Sequence, residues 1–504
     1  MTPFALILAA AAVVLGTLAA TPLPLDERAL AAAGCAALGA YAYSRRCENR
    51  QLRVLVLCAL AVGAVNAVCH ESGAEAPFEL RTARYEGVVV SRNGDSQIVV
   101  ALDGGRTVLA QIRGDPPAAG SHVELLGRLA SFDDARNPGE PSERAIQHER
   151  GIDAQLESAV LLRTRPGSPW EARAWLPRAH EWAYAQLQLR LGEPSASVVA
   201  GELWGERTAL PPDLRLEFQE TGTVHVLVTA GLHLGAVAAL ALALFSLGKL
   251  PRRVTCTLAI LAVWGFALWS GAQLPALRAA AMVTAALTAR ACGRAAFSWN
   301  SLAIAALFLA LVRPESVATA SFALSFSCVG VIFAVAKPLE RALHGFAALP
   351  MPIREAIVLS SATQLGTWPL SAAIFLQFAV YAPLANLGVV PCVAATMALG
   401  TAQLLLAWSA PLAQACANLN SWLLAWMLAV VRTLSSLPGA AVPMTPPPAW
   451  SIALYDAALL AAPWLWRNGA RTAAAAGLLI AAGFVLWPPR AADGTLRITV
   501  LDVG

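Results

Sequence analysis

Residues 221–235 read TGTVHVLVTAGLHLG and bring two histidines and three glycines to the head of an apolar run that continues as AVAALALALFSL. Imidazoles ligate metals or carry protons, and glycines loosen a helix or let backbones approach. On one unbroken helix His225 and His233 would stand about 12 Å apart along the axis and about 80° apart around it. At that separation they cannot share a metal unless the helix breaks, and Gly231 and Gly235 in TAGLHLG mark where it could. No cluster of Asp, Glu or Cys with ligand spacing accompanies them, so no metal site is expected. Two readings stay open: each histidine packs against a neighbouring helix, or the pair lines a polar path. Thr223 and Thr229 have no adjacent carboxylate to complete a triad, so no catalytic residue is assigned. A phosphate-cradling G-x-x-x-x-G-K-[ST] loop is absent from the sequence, so the chain is not expected to power itself with ATP.

Further polar residues interrupt apolar runs: Arg278, Gln364, Gln377, Asn386, Asn418, Asn420 and Asp456. Prolines accompany three of these sites, at Pro275, Pro369 and the pair Pro383 and Pro391. Broken helices with polar residues are tolerated in a bilayer where they line a protein-walled or watery cavity. The candidate lining set is therefore His225, Gly231, His233, Arg278, Gln364 and Asn386. For Arg278, snorkelling to the membrane interface is the alternative.

These residues need a membrane scaffold. The 504 residues are 57% hydrophobic and 13% charged, with a mean hydropathy of +0.58. Apolar stretches recur at the length of about 20 residues that a spanning helix needs. The expected fold class is a polytopic α-helical membrane protein with an inserted, exported small β-barrel of OB type. Three short spans occupy residues 1–70, and the Arg-rich loop YSRRCENRQLR between the second and third places that loop in the cytoplasm. The first run, FALILAAAAVVLGTLAA, has no Arg or Lys before it and reads as a membrane helix rather than a secretory signal.

Residues 78–165 alternate polar and apolar positions, with hairpin signals at RNGD and LDGG, and form the expected barrel. Residues 166–221 supply a linker and a Trp- and Arg-bearing helix suited to the membrane interface. About ten spans fill residues 222–488, separated by KLPRR, GAQLP, RACGR, VRPES, KPLERALHG, FAVYAP, SAPLAQ, PGAAVPMTPPP and RNGAR. Strict alternation from the outside puts KLPRR, RACGR, KPLERALHG and RNGAR in the cytoplasm, as positive-inside requires. Residues 493–504 end on LRITVLDV, a lone strand, and the expectation is a chain cut just inside a further soluble domain.

The barrel is not strongly basic: residues 80–165 hold 11 Arg against 12 Asp or Glu, with Tyr85 and Phe132 the only aromatics. Strand-binding OB domains combine a basic groove with stacking aromatics. A local patch of Arg92, Arg106, Arg113 and Arg128 is the DNA-binding candidate; a spacer or gating role is the alternative. The nine cysteines show no CxxC spacing and none lies between residues 70 and 255, which points to small buried hydrophobes.

The order of these parts resembles the ComEC family of competence proteins. LWGERTALPPDLRLEFQETGTVHVLVTAGLHLG is similar to the family segment GDR…L…F…TGTSHLLAISGLHVG, GAQLPALRAAAM to GASPSVLRAALM, and SFALSFSCVGVI to GFQLSFLAV. QLGTWPL, PLANLGVVP, the RNPGE…RGI stretch and the terminal ITVLDVG add to the likeness, which covers nearly the whole chain. Here Ala230 stands where the family has Ser, so no serine nucleophile exists at that position, and Glu206 replaces the Asp of GDR. EPSERAIQHE replaces the aromatic residues between NPG and RGI.

The resemblance implies an inner-membrane channel that carries single-stranded DNA from periplasm to cytoplasm in natural transformation, with the barrel and C-terminus periplasmic. Its implied partners are the DNA strand, a periplasmic DNA receptor, a cytoplasmic helicase or translocase, and membrane lipids. No cofactor is expected over these residues; in longer members a divalent metal belongs to a metallo-β-lactamase-like nuclease domain after LDVG. The rival functions are a carrier for a small solute or lipid, and an intramembrane enzyme using His225 or His233 as base.

Overall fold

The computed structural model describes residues 10–15, 17, 63, 66, 82–93, 96–133, 143–144, 147, 151–167, 172–205, 210–227, 231–294, 298–342 and 350–486. The expected spans of residues 1–70 lie almost wholly outside this set, and the terminal strand lies entirely outside it.

Five strands close into a barrel: β1 (Ala83–Asn93), β2 (Gln97–Leu102), β3 (Thr107–Gln111), β4 (His122–Ala130) and β5 (Ala154–Arg165), in the order β1-β2-β3-β5-β4. β1 closes the ring against β4, and β3 runs parallel to β5. The alternation seen in the sequence sends Val89, Ile98, Val100, Val108, Ala110, Val123, Leu125 and Leu156 inward, and all are buried. The LDGG hairpin forms as expected, with Gly105 at positive φ and its amide bonded to the Leu102 carbonyl at 2.9 Å.

The barrel rests on helix α1 (Ala172–Leu191). Glu181 accepts from the Ala119 amide at 3.2 Å and pairs with Arg92 at 3.3 Å. Arg178 donates to the carbonyls of Gly120 and Gly167. Trp175, Trp182 and Leu189 of α1 stay exposed.

Two short helices follow, α2 (Ser195–Trp204) and α3 (Pro212–Glu220), then a 3-10 turn (Val224–Leu227). Among the described residues, ten α-helices run from there to residue 486: α4 (Gly231–Leu247), α5 (Arg252–Trp269), α6 (Leu274–Ala291), α7 (Ser298–Val312), α8 (Ala320–Ala342), α9 (Met351–Phe375), α10 (Ala382–Leu405), α11 (Ala410–Ser435), α12 (Ala449–Arg467) and α13 (Arg471–Leu486). Most of the polar and proline-bearing separators fall in or at the connections; KPLERALHG instead begins inside α8, which carries Pro338 and runs on to Ala342. Proline sits in the first helical positions of α6, α9, α10 and α11, where its missing N–H leaves no bond unmade. Among the described residues, four helical segments are long and apolar enough to cross a membrane: Arg252–Trp269, Ser321–Arg341, Ala382–Leu405 and Ala410–Ser435.

The main core joins α2, α3 and the 3-10 turn to α10 and α11 through Val199, Leu203, Phe218, Val226, Val393, Leu424 and Met427. A short ladder of β6 (Gln377–Ala379) with β7 (Ala441–Pro443) ties the α9–α10 connection to the proline-rich stretch after α11. Short connections make successive helices antiparallel, so the starts of α4, α6, α8 and α10 and the ends of α9 and α11 lie at one end of the bundle.

Candidate functional site

The TGTVHVLVTAGLHLG stretch does not fold as one helix. Thr221 and Thr223 share a hydroxyl hydrogen bond at 2.8 Å, and Thr221 Oγ1 also donates to the Glu217 carbonyl at 2.9 Å, which closes α3. Gly222 turns the chain at φ +68°, the 3-10 turn follows, and α4 begins only at Gly231. The break therefore starts at Gly222, before the TAGLHLG stretch where the sequence suggested it; residues 228–230 lie outside the described set. His225 is exposed, with Nδ1 3.1 Å from the Gly222 carbonyl. His233 is fully buried, bonds the Val226 backbone and lies in the electrostatic field of His225. Among the described residues no group of three or more His, Cys, Asp or Glu is placed to hold a metal.

Gly222 is also where the turn meets the rest of the bundle. A Cβ added there would lie 2.8 Å from the Cβ of Ala382 and 3.1 Å from that of Ala379, so only glycine allows the approach at an unstrained φ. Ala379 belongs to β6, which folds back along α9, and its carbonyl accepts from Gln364 Nε2 at 3.4 Å. One turn after Ala382, Asn386 donates to Ser360 Oγ at 3.2 Å, one turn before Gln364 on α9. The turn carrying His225, Gln364 and Asn386 therefore form one polar neighbourhood across α9, β6 and α10. The buried atoms Asn386 Oδ1 and Gln377 Nε2 have no hydrogen-bond partner.

The adjacent position on α9, Thr363, leads to α8 through Cys328 Sγ at 4.0 Å. Phe326, two residues before Cys328 on α8, faces Arg278 of α6, whose guanidinium sits 5.7 Å from its ring centroid. Arg278 is only 5% exposed, so it is not placed as a snorkelling side chain. Ser327 on α8 donates to the Gly366 carbonyl of α9 at 3.0 Å, and Asp456 on α12 has a buried Oδ1 with no hydrogen-bond partner among the described residues. Asn420 faces inward and donates to the Thr396 carbonyl at 3.2 Å, whereas Asn418, two residues earlier, pairs with Gln414 on the exposed face.

Of the four candidate arginines of the barrel, two are engaged by carboxylates. Arg92 is engaged by Glu181 and by the Pro117 carbonyl, and Arg128 by Glu157. Arg106 stands in the β2–β3 turn, and Arg113 is exposed beyond the end of β3.

Sequence reasoning missed Glu202. It is fully buried on α2, outside the candidate spans, with Oε2 2.6 Å from Thr396 Oγ1 on α10. Thr396 Oγ1 also lies 2.9 Å from the Val393 carbonyl. A hydroxyl has one proton to give. Donating it to Val393 leaves Oγ1 as an acceptor, and a protonated Glu202 is then the donor. Burial pushes the Glu202 carboxyl up to about 8; a Thr396 hydroxyl turned to donate to the ionised carboxylate opposes this and is the smaller effect. The signal in SASVVAGELW was an acid inside an apolar helix, but its burial depends on partners nearly 200 residues away.

Fold and site together define a class: a mostly helical, apolar chain with four helices able to cross a membrane and a small closed five-stranded barrel ahead of them. A family model described as Competence protein matches residues 203–469, more than half of the chain, and the chain belongs to that family. Membership points to a role in DNA uptake in competence, in agreement with the resemblance to ComEC-type proteins. No curated protein and no solved structure gives a significant match.

Proposed function

We propose that this protein is a channel of the bacterial inner membrane that passes single-stranded DNA from periplasm to cytoplasm during natural transformation. The observation that carries the reading is the polar seam running from His225 and His233 through Gln364 and Asn386 to Arg278. Polar groups at membrane depth face protein or water rather than lipid. By the 1.5 Å rise, His233 lies about 3 Å, and Arg278 and Asn386 each about 6 Å, from the start of its helix. With β6 folded back beside Gln364, the seam gathers at the end of the bundle where α4, α6 and α10 begin.

Positive-inside alternation assigns that end to the periplasm and the Arg-bearing loops to the cytoplasm. The barrel's strand order and its parallel β3–β5 closure favour an OB-type domain, held over α1 on the periplasmic side, where Arg113 is exposed beyond the end of β3. In this account the barrel receives the strand from a periplasmic receptor. A cytoplasmic ATP-driven helicase or translocase draws it through, because the chain carries no phosphate-cradling loop of its own. Lipid contacts the exposed tryptophans Trp408, Trp422 and Trp426.

Deleting the gene is expected to abolish transformation while labelled DNA still accumulates outside the inner membrane. Normal transformation in the deletion strain would sink the proposal.

A further inference from the structure

Arg278 poses an electrostatic problem that the helices do not solve. Its side chain is 95% buried on the 5% exposure given above, and an arginine cannot shed its proton to escape the cost. No carboxylate or hydrogen-bond acceptor engages it among the described residues. Its contact of note is the face of the Phe326 ring, at 5.7 Å. Glu202 and Asn386 each have at least one polar partner, Thr396 and Ser360, although one oxygen of each is left without one.

A buried charge left without a partner is strongly unfavourable. The cation–π contact offsets part of that cost. It also leaves the edge of the guanidinium, where the N–H donors lie in the plane, free to take a pair of oxygens. A fork of that shape fits two oxygens of one anion and fits a phosphate better than a point charge does. Through Cys328, Thr363 and the α9 face, this position adjoins the polar neighbourhood of Gln364 and Asn386.

We infer that Arg278 is an anion seat, taking the two non-bridging oxygens of one phosphodiester of the passing strand, with Phe326 as its backing. The inference rests on the channel reading and specifies one contact within it. The same chemistry is carried by a phospholipid headgroup, but Arg278 lies enclosed by helices, which favours the strand.

The test uses the full chain in nanodiscs of phosphatidylcholine and measures binding of a dT oligonucleotide by anisotropy across a salt series. For single strands, each phosphate contact contributes about 0.7 to the slope of log K against log salt. Arg278→Gln is expected to lower that slope by about 0.7 and to weaken binding about fivefold at 0.1 M salt. Arg278→Lys keeps the charge and should keep the slope. Arg278→Met should melt at or above the wild-type temperature, since an uncompensated charge has been removed. An unchanged slope in Arg278→Gln, or a much lower melting temperature in Arg278→Met, would overturn the inference while leaving the channel standing. So would phosphatidylglycerol in the disc raising the melting temperature of the wild type but not of Arg278→Gln, which would give the seat to lipid. Failure of the wild-type chain to bind the oligonucleotide at all would instead remove the channel reading, and this inference with it.

Discussion

Gly222→Val is expected to unseat the turn that presents His225 and to abolish DNA uptake, even though residue 222 carries no side chain of its own. Two costs combine. The backbone holds φ at +68°, and a residue with a Cβ in that region loses about 1–2 kcal/mol. The new side chain would also be driven into Ala382 and Ala379, whose Cβ atoms already lie 2.8 and 3.1 Å from the position of its first atom. Overpacking of that kind costs about 1–3 kcal/mol more. The backbone must then separate the turn from β6 and the start of α10, and Gln364 and Asn386 lose their neighbour. Thermal unfolding in detergent should show a lowered midpoint for Gly222→Val and a smaller decrease for Gly222→Ala. Wild-type melting together with wild-type transformation in the valine variant would show that the close approach is not needed.

Glu202→Gln is expected to leave the protein folded and to flatten the dependence of its stability on pH. With the carboxyl pushed up to about 8 in the fold, against an ordinary value of 4.5, the folded state holds a proton that the unfolded state has released. The carboxyl's contribution is complete below about pH 4.5 and declines as pH rises to about 8, by at most about 1.4 kcal/mol per pH unit. Glutamine reproduces the neutral acid: its amide N–H can donate to Thr396 Oγ1 while Thr396 keeps its bond to Val393. Melting temperatures between pH 5 and 8 should therefore fall with pH in the wild type and fall less steeply in Glu202→Gln. A wild-type melting temperature that rises over this interval, or equal slopes in the two proteins, would refute a neutral Glu202.

The barrel was legible because β-strand burial is written locally: Val89, Ile98 and Val100 alternate with polar neighbours, and LDGG names its own turn. The helix connections were legible for a related reason, since proline and arginine punctuate apolar runs wherever they occur. Gly222 was harder, because its role comes from the close approach of Ala382, 160 positions later, and from the Thr221–Thr223 hydroxyl pair that ends α3. Glu202 was invisible as a buried acid, because the covering helices α10 and α11 lie at residues 382–435. Arg92 and Arg128 looked like a shared patch in the sequence; the carboxylates of Glu181 and Glu157 that engage them are distant in the chain and near only in the fold. His225, Gln364, Asn386 and Arg278 stood out as polar residues in apolar surroundings, but that they adjoin one another was beyond what spacing could tell.

The central claim is that a DNA strand passes beside these residues, and a trapped strand tests it most directly. A single strand carrying photoreactive thymidine analogues, arrested during uptake and irradiated, should cross-link to residues 221–233, to the first turns of α6 and α10, and to Phe326 of α8. Cross-links confined to the barrel, or to the exposed tryptophan face of α11 at Trp422 and Trp426, would contradict a path through the bundle.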